Sequence, residues 1–196
     1  MKKNIKIKKF HPKAKIPVYY EDAAGMDFYA TRKTWIVKHW TENGIIEKEV
    51  LELTSGSIII GIKYYLGVGV QLPKNCALQI MPRSSIYKKD LILSNSPGLI
   101  DPDYRGEISA IFKFLVPISY SAEDYTIFSH DATDEVKYYQ TLEENIDAPA
   151  VCQGMIVDFH RAVFEEVDEL EKTKRGTGGF GSSDGSAVIP GTNKSL

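Results

Sequence analysis

The sequence predicts a single-domain, all-β protein, and three observations support this prediction. Ile5 and Ile7 alternate with lysines, which is the period-two pattern of a strand with one buried face. Short runs rich in β-branched and aromatic residues recur along the chain, separated by Gly, Pro, Asn and Asp. The length of 196 residues, with 43% hydrophobic and 26% charged residues, suits one domain whose core needs no disulfide. We therefore expect a barrel or sandwich of short strands.

After the segment at Ile5 and Ile7, further strands are predicted in chain order at residues 35–37, 57–62, 66–72, 77–81 and 108–116. Residues 39–56 are polar and contain the turn signal Asn43-Gly44, so they predict a hairpin. Residues 165–172 could form a short helix, although they lack a long apolar stripe at helical spacing.

Two further regions depart from the strand pattern. Residues 119–147 are acidic and rich in tyrosine, and long excursions of this kind are usually functional or mobile. From residue 174 onward the chain is dominated by Gly, Ser and Thr, which predicts a flexible arm. We expect one domain over residues 1–173, with insertions at about 39–56 and 119–147, followed by the arm at 174–196.

Charge and composition exclude several classes of function. A net charge of -2 gives no support for general binding to nucleic acid or to an anionic membrane. No apolar run approaches the roughly 20 residues needed to span a bilayer, and the basic N-terminus lacks the apolar stretch of a signal peptide. The 2 cysteines are too few for a disulfide framework or a cysteine metal site. A cytoplasmic location is expected.

The arm contains the segment with the clearest chemistry, residues 175–183. Its glycines allow successive backbone N–H groups to converge on a phosphate, and the Arg175 guanidinium suits bidentate phosphate contact. Phe180 stands among glycines, so its ring could stack on a nucleobase. A disordered tail is the alternative for a Gly-rich terminus.

Two other segments carry candidate polar residues. Asp101 precedes a proline and is biased to extended geometry, so its carboxylate can project from a strand end; a simple turn-forming Asp is the alternative. Arg83, Ser84 and Ser85 follow a predicted strand and could hold an anion. A surface arginine with two capping serines is the alternative there.

Taken together, in order and at these intervals, the segments resemble the homotrimeric dUTPase family. Residues 24–28, 82–85, 98–106 and 175–183 are similar to its first, second, third and fifth motifs. Residues 148–153 stand in place of the fourth motif; they keep Gln153 but lack the family's usual glycine and basic residue. The resemblance covers nearly the whole chain apart from residues 39–56 and 119–147.

The resemblance implies a distorted jelly-roll β-barrel that forms a homotrimer, with active sites at the subunit interfaces. It implies hydrolysis of dUTP to dUMP and pyrophosphate with Mg²⁺, which limits uracil incorporation into DNA and supplies dUMP. The C-terminal arm is expected to close over a nucleotide held by a neighbouring subunit.

The resemblance also implies a role for each matched residue. Asp101 is expected to activate the attacking water, and Tyr104 to pack beneath the deoxyribose and exclude a 2′-hydroxyl. Asn95 and Gly98 are expected to contact uracil, and Phe180 to stack on it. Asp27 is expected to reach the metal through water. The remaining substrate contacts are expected from Arg83, Ser84, Ser85, Gln153, Arg175, Gly181 and Ser182.

Two alternative functions remain open. One is a dCTP deaminase-type enzyme of the same fold, which shares a similar Arg83-Ser84-Ser85 segment. The other is a regulatory, protein-binding module of the same fold that acts through residues 119–147, because tyrosines suit a protein interface. Ammonia release from dCTP would indicate the first alternative.

Overall fold

The protein is described by a computed structural model that covers residues 3–89, 91–119 and 150–178. Within these residues the chain is nearly all β, as predicted, with one short 3-10 helix at Ser84–Lys89. The strands, in chain order, are β1 (Lys6–Lys9), β2 (Val18–Tyr19), β3 (Met26–Phe28), β4 (Arg32–Thr41), β5 (Gly44–Val50), β6 (Ile58–Tyr65), β7 (Val68–Gln71), β8 (Cys76–Met81), β9 (Leu91–Leu93), β10 (Gly98–Ile100), β11 (Ser109–Ser119) and β12 (Cys152–Asp158).

The strands form three sheets with antiparallel pairing. The strand orders are β1-β7, β10-β8-β12-β3-β2 and β5-β4-β6-β11-β9. Pairing ends at β10 and β2 in one five-stranded sheet and at β5 and β9 in the other, so no ladder runs around the described residues as a closed barrel. The all-β fold is confirmed, and its described part consists of open sheets.

The core is one apolar cluster that takes side chains from all three sheets. Phe28 and Leu78 come from one five-stranded sheet, Ile62 and Phe112 from the other, and Val68 from the two-stranded sheet. Each of these side chains is at most 1% exposed. The two large sheets therefore face each other across this core, and burial of such side chains is the main stabilising contribution.

The hairpin predicted within residues 39–56 is formed by β4 and β5. Thr41 pairs with Gly44 at its tip, and the ladder runs from there to the pair of Trp35 and Val50. Gly44 has a φ of 120°, a backbone conformation that glycine adopts without the strain of a side chain. The strand predicted at residues 35–37 is longer than expected because both sides of β4 are paired, by β5 and by β6.

The chain divides into two compact units, Met1–His160 and Arg161–Leu196. All described strands belong to the first unit. In the second unit, the described residues 161–178 contain neither helix nor strand, so the helix considered for residues 165–172 does not form. Its apolar residues Val167 and Leu170 are 52% and 85% exposed, and a short helix without tertiary packing is marginal in water.

The predicted domain boundary at residues 173 and 174 stays a prediction. Nearly all of the insertion at 119–147 lies outside the described residues, as do residues 179–196 of the arm. Over the described part of the chain, no helix combines the length and apolar character that crossing a bilayer requires.

Candidate active site

Three predicted residues from distant parts of the sequence come together at one end of a sheet. β12 lies between β3 and β8, with Gln153 opposite Asp27 on one side and opposite Met81 on the other. Arg83 follows the end of β8, and its Nε lies 3.3 Å from Asp27 Oδ1. Arg83 Nη1 also donates a hydrogen bond of 3.2 Å to the Ala150 carbonyl. We call this group the Asp27–Arg83–Gln153 cluster.

Gln153 holds the backbone of Pro82, the residue directly before Arg83. Its Nε2 donates a hydrogen bond of 2.9 Å to the Pro82 carbonyl. A Cβ on Gly25 would lie 2.8 Å from Gln153 Oε1, so the absence of a side chain at Gly25 allows this orientation. The amide nitrogen keeps a second hydrogen for another acceptor. Gln153 can therefore bind the Pro82 carbonyl and still contact an anion.

Cys152 lies next to Gln153 on β12 and is fully buried. Burial raises the pKa of its thiol to about 12; the nearby Asp27 carboxylate adds to this increase, and Arg83 opposes it. A thiol with this pKa is protonated at neutral pH. Cys152 therefore packs as an apolar side chain and is not a nucleophile.

Ser84 and Ser85 begin the 3-10 helix and are both exposed. The backbone turn there is closed by the Ile86 amide, which donates 3.0 Å to the Arg83 carbonyl. Because the backbone turn does not use the serine hydroxyls, they can donate to an anion beside the Arg83 guanidinium. The anion-holding role predicted from the sequence for these residues stays a prediction.

Asn95 lies in the connection between β9 and β10, and Gly98 is the first residue of β10. A Cβ on Gly98 would lie 3.3 Å from Asn95 Nδ2 and 3.5 Å from Ile80 Cβ. The Asn95 amide therefore lies directly against Gly98, where a side chain would crowd it. Gly98 also pairs with Ile80 of β8, which fixes this connection to the sheet.

Asp101 follows β10 and is exposed. Its carboxylate has no hydrogen-bond partner among residues 3–89, 91–119 and 150–178, whereas its carbonyl accepts 3.2 Å from the Tyr104 amide. Arg105 Nη1 donates to the carbonyls of Pro102 (2.7 Å) and Tyr104 (2.9 Å). The loop is thus held by its backbone while the Asp101 carboxylate is available for chemistry.

The structure does not bring Asp101 and the Asp27–Arg83–Gln153 cluster together within one chain. Ile100, directly before Asp101, pairs with Leu78, whereas Met81 at the other end of β8 leads to Arg83. At about 3.3 Å per residue, roughly 10 Å of strand lies between the Leu78 and Met81 levels. Because β10 and β8 are antiparallel, the chain runs from Ile100 to Asp101 in one direction and from Met81 to Arg83 in the opposite direction.

Arg175 belongs to the second unit and lies in a tight turn. Its Nε donates 2.8 Å to the Gly178 carbonyl, and the Gly178 amide donates 3.1 Å to the Arg175 carbonyl. The predicted residues Phe180, Gly181 and Ser182 lie outside the described residues.

The described residues contain no group of three or more His, Cys, Asp or Glu side chains that could hold a metal ion. Asp27 offers a single carboxylate, 31% exposed, beside Arg83. Mg²⁺ binds through one or two carboxylates together with water and substrate phosphates. Asp27 therefore fits a magnesium ion that arrives largely coordinated by phosphate.

Sequence reasoning missed one ion pair beside the Asp101 loop. Arg32 Nη2 lies 2.8 Å from Glu107 Oε2, and Arg32 Nη1 contacts both carboxylate oxygens at 2.9 and 3.0 Å. Glu107 directly follows the segment similar to the third motif, but Arg32 belongs to no motif. No sequence signal connects the two residues, because their pairing depends on how β4 lies in the sheet.

Comparisons with known proteins identify similar sequences. A family model described as dUTPase matches residues 57–116. The deoxyuridine 5'-triphosphate nucleotidohydrolase of Helicobacter pylori strain Shi470 is 32% identical over 181 residues, covering 91% of this chain and 95% of that protein. The enzyme of the same name from Escherichia phage T5 is 33% identical over 184 residues, covering 91% of this chain and 97% of that protein.

Solved structures show a similar fold. A point mutant of the dUTPase of phage 80alpha has a TM-score of 0.58 at 18% identity, covering 93% of this chain and 100% of that chain. A second point mutant of the Staphylococcus bacteriophage 80alpha dUTPase, with dUpNHpp, has a TM-score of 0.57 at 19% identity, covering 93% and 99%. A mutant dUTPase from phage phi11 of S. aureus, with a structural Mg(II) ion, has a TM-score of 0.52 at 17% identity, covering 87% and 100%.

Proposed function

This chain belongs to the dUTPase family, and from that membership we propose that it hydrolyses dUTP to dUMP and pyrophosphate. The reaction limits uracil incorporation into DNA and supplies dUMP. The site geometry that best supports it is the Asp27–Arg83–Gln153 cluster, in which a guanidinium and an amide lie beside two exposed serines. Positioning and neutralisation of phosphate charge are most of what such a reaction needs from a protein.

Asp101 is the proposed general base. Its carboxylate takes a proton from a water molecule, whose oxygen attacks the α-phosphorus in line with the bond to the leaving pyrophosphate. The P–O bond to water forms as the bond to pyrophosphate breaks. Support comes from the exposed carboxylate, which forms no hydrogen bond with the described residues. General-base catalysis of this kind contributes on the order of 10²–10⁴ in rate.

The nucleoside is read by the loop that carries Asp101. Tyr104 packs beneath the deoxyribose and leaves no room for a 2′-hydroxyl, while Asn95 and the backbone at Gly98 contact the uracil edge. A hydrogen-bonding site of this kind rejects cytosine strongly, because mismatched buried donors and acceptors would stay unpaired. Phe180 stacks on the base from the arm.

Arg83, Ser84, Ser85, Gln153 and Arg175, with the backbone at Gly181 and Ser182, hold the triphosphate in this proposal. Asp27 contacts a magnesium ion through water. When bound, that ion supplies charge neutralisation at the phosphate oxygens. The Asp27–Arg83 ion pair of 3.3 Å keeps the carboxylate and the guanidinium on the same side of the site.

The active unit is a homotrimer with each site shared between subunits. The separation of Asp101 from the Asp27–Arg83–Gln153 cluster along β8 supports this part of the proposal. Within a single chain, the Asp101 loop lies toward the other end of β8 from the cluster. A neighbouring chain can bring its own Asp101 loop to the cluster. A cytoplasmic location and a protein partner at residues 119–147 are further parts of the proposal that follow from the sequence.

The deciding experiment measures pyrophosphate and ammonia release from dUTP, UTP, dTTP and dCTP in parallel, with magnesium. We expect pyrophosphate from dUTP alone. Ammonia from dCTP would instead identify a deaminase. If none of the four nucleotides reacts with the folded protein, dUTP hydrolysis is wrong for this chain and the protein-binding role becomes the leading hypothesis.

Asp101→Asn tests the role of the base in the same assay. We expect dUTP to bind while kcat falls about 10²- to 10⁴-fold, because the amide cannot accept the proton from water. Asp103→Asn is the matched control, since Asp103 is exposed in the same loop and has no proposed role. Unchanged turnover in Asp101→Asn would remove Asp101 as the base.

A further inference from the structure

Within the described residues, the ring of Tyr104 is fixed by a hydrogen bond rather than by burial. The side chain is 43% exposed, and its Oη donates 3.0 Å to the carbonyl of Glu107. The ring end lies against Gly106, where a Cβ would come within 2.3 Å of Tyr104 Oη. The direction of this exposed ring therefore depends on the position of the Glu107 carbonyl.

Glu107 is in turn fixed by two elements far from it in sequence. Both oxygens of its carboxylate contact Arg32 at the start of β4, at 2.8–3.0 Å. The Gly67 amide donates a further 2.9 Å to Glu107 Oε1. The Arg32 guanidinium also lies 3.7 Å over the Tyr65 ring. Bidentate contacts of this kind fix geometry as well as contributing stability.

The burial of the pair suits a positioning role. The Glu107 side chain is 16% exposed and that of Arg32 is 42% exposed. The carboxylate is thus shielded while the guanidinium remains partly hydrated. The next amide, that of Ile108, is bonded to the Val68 carbonyl at 2.8 Å. The segment that accepts the Tyr104 hydroxyl is therefore held both by its backbone and by the Glu107 side chain.

We propose that the Arg32–Glu107 ion pair is a positioning unit for Tyr104 and that it sets the discrimination between deoxyribonucleotides and ribonucleotides. The inference rests on the proposed function, in which the Tyr104 ring excludes a 2′-hydroxyl. A ring that is free to move no longer excludes the 2′-hydroxyl. Arg32 acts only through Glu107 and Tyr104 and touches no substrate.

The test compares kcat/KM for dUTP and for UTP in the wild type, Arg32→Lys and Arg32→Gln. We expect Arg32→Gln to lower the dUTP-to-UTP ratio about tenfold, mainly because UTP becomes a better substrate. Arg32→Lys keeps the charge and restores part of the ratio. A smaller amount of folded enzyme changes both substrates equally, so a purely structural effect leaves the ratio unchanged.

Tyr104→Phe supplies the second arm, because it removes the hydroxyl and keeps the ring. We expect this variant to lower the ratio by itself, and Arg32→Gln to add nothing in the Tyr104→Phe background. Glu47→Gln is the matched control, since it breaks the 2.8 Å ion pair to Lys113 on the same sheet, away from Tyr104. This control leaves the ratio unchanged.

Three outcomes would overturn the inference. They are an unchanged ratio in Arg32→Gln, an unchanged ratio in Tyr104→Phe, and an Arg32→Gln effect that persists fully in the Tyr104→Phe background. If Arg32→Gln does not fold, Arg32→Lys takes its place: a smaller fall in the ratio is expected, and an unchanged ratio overturns the inference. A wild-type chain that does not hydrolyse dUTP overturns the proposed function as well, whereas an active wild type with unchanged variant ratios overturns this inference only.

Discussion

Cys152 lies beside charged groups and still has the properties of a core residue. Burial raises the pKa of its thiol to about 12, because a thiolate there would lose its hydration. Proximity to a candidate active site is thus no sign of reactivity. The adjacent Gln153, on the same strand, is the residue that reaches the polar groups.

We predict that Cys152 resists alkylation in the folded protein. Iodoacetamide at pH 8 should label Cys152 rapidly in urea and at least tenfold more slowly under native conditions, because the thiolate is the reactive form. Peptide mass spectrometry measures the two rates, and the denatured sample is the control. Rapid native labelling would contradict the buried, protonated state.

At the residue scale, the sequence could identify most individual candidates but not their arrangement. Arg83 and Gln153 could be predicted because short motifs carry them, yet nothing in the motifs indicates that β12 inserts between β3 and β8 and brings both residues to Asp27. The role of Arg32 could not be predicted from the sequence, since it depends on a contact with a residue 75 positions away. The proposed roles of these residues stay predictions.

Among the elements, the edge strand β5 carries a carboxylate that joins three strands. Glu49 accepts hydrogen bonds from Thr34 Oγ1 at 2.6 Å on β4 and from Lys63 Nζ at 3.0 Å on β6, and also from the Tyr65 hydroxyl. Partial burial opposes ionisation, but these bonds together hold the pKa of Glu49 below its ordinary value of 4.5.

The lowered pKa predicts a pH-dependent contribution to stability. Ionised Glu49 stabilises the fold above the unfolded pKa, and the contribution is lost as pH falls through the lower folded pKa. Glu49→Gln should therefore reduce the free energy of unfolding at pH 7 by on the order of 1 kcal/mol, a modest value because the carboxylate is partly exposed.

Urea unfolding at pH 7 and pH 3 measures this effect, and the difference between wild type and Glu49→Gln should shrink at pH 3. Glu47→Gln is the matched control on the same strand, since Glu47 is 55% exposed and, within the part of the chain that the structure describes, pairs with Lys113 alone. An equal loss of unfolding free energy in both variants at pH 7 would show that the Glu49 hydrogen bonds contribute no more than the exposed Glu47 ion pair.

The elements themselves were largely predictable, because alternation and turn residues are local signals. Asn43-Gly44 predicted a hairpin, and β4 and β5 form one. The short strands β2, β3, β9 and β10 were missed, since two or three residues give too little alternation to recognise. The seven-residue strand β12 was missed as well. Residues 165–172 had helix-forming composition, but they form no helix, and Val167 and Leu170 stay exposed.

For the whole molecule, shared active sites predict complementation between two inactive variants. Asp101→Asn and Arg83→Ala chains, unfolded together and refolded as a mixture, should recover about a quarter of wild-type sites if each site takes Asp101 from one subunit and Arg83 from another. Either variant refolded alone is the control. If the mixture regains nothing while mixed oligomers are detected by mass, each site belongs to a single chain.

The strand order β10-β8-β12-β3-β2 also has a consequence for synthesis on the ribosome. β12 is the last described strand, and it joins β8 to β3. Until it emerges, β2 and β3 have no partner in the rest of the sheet, and one edge of β8 is open. The nascent chain therefore carries unpaired strand edges until β12 has been synthesised. Asp27 and Arg83 come together in the completed sheet only after that point.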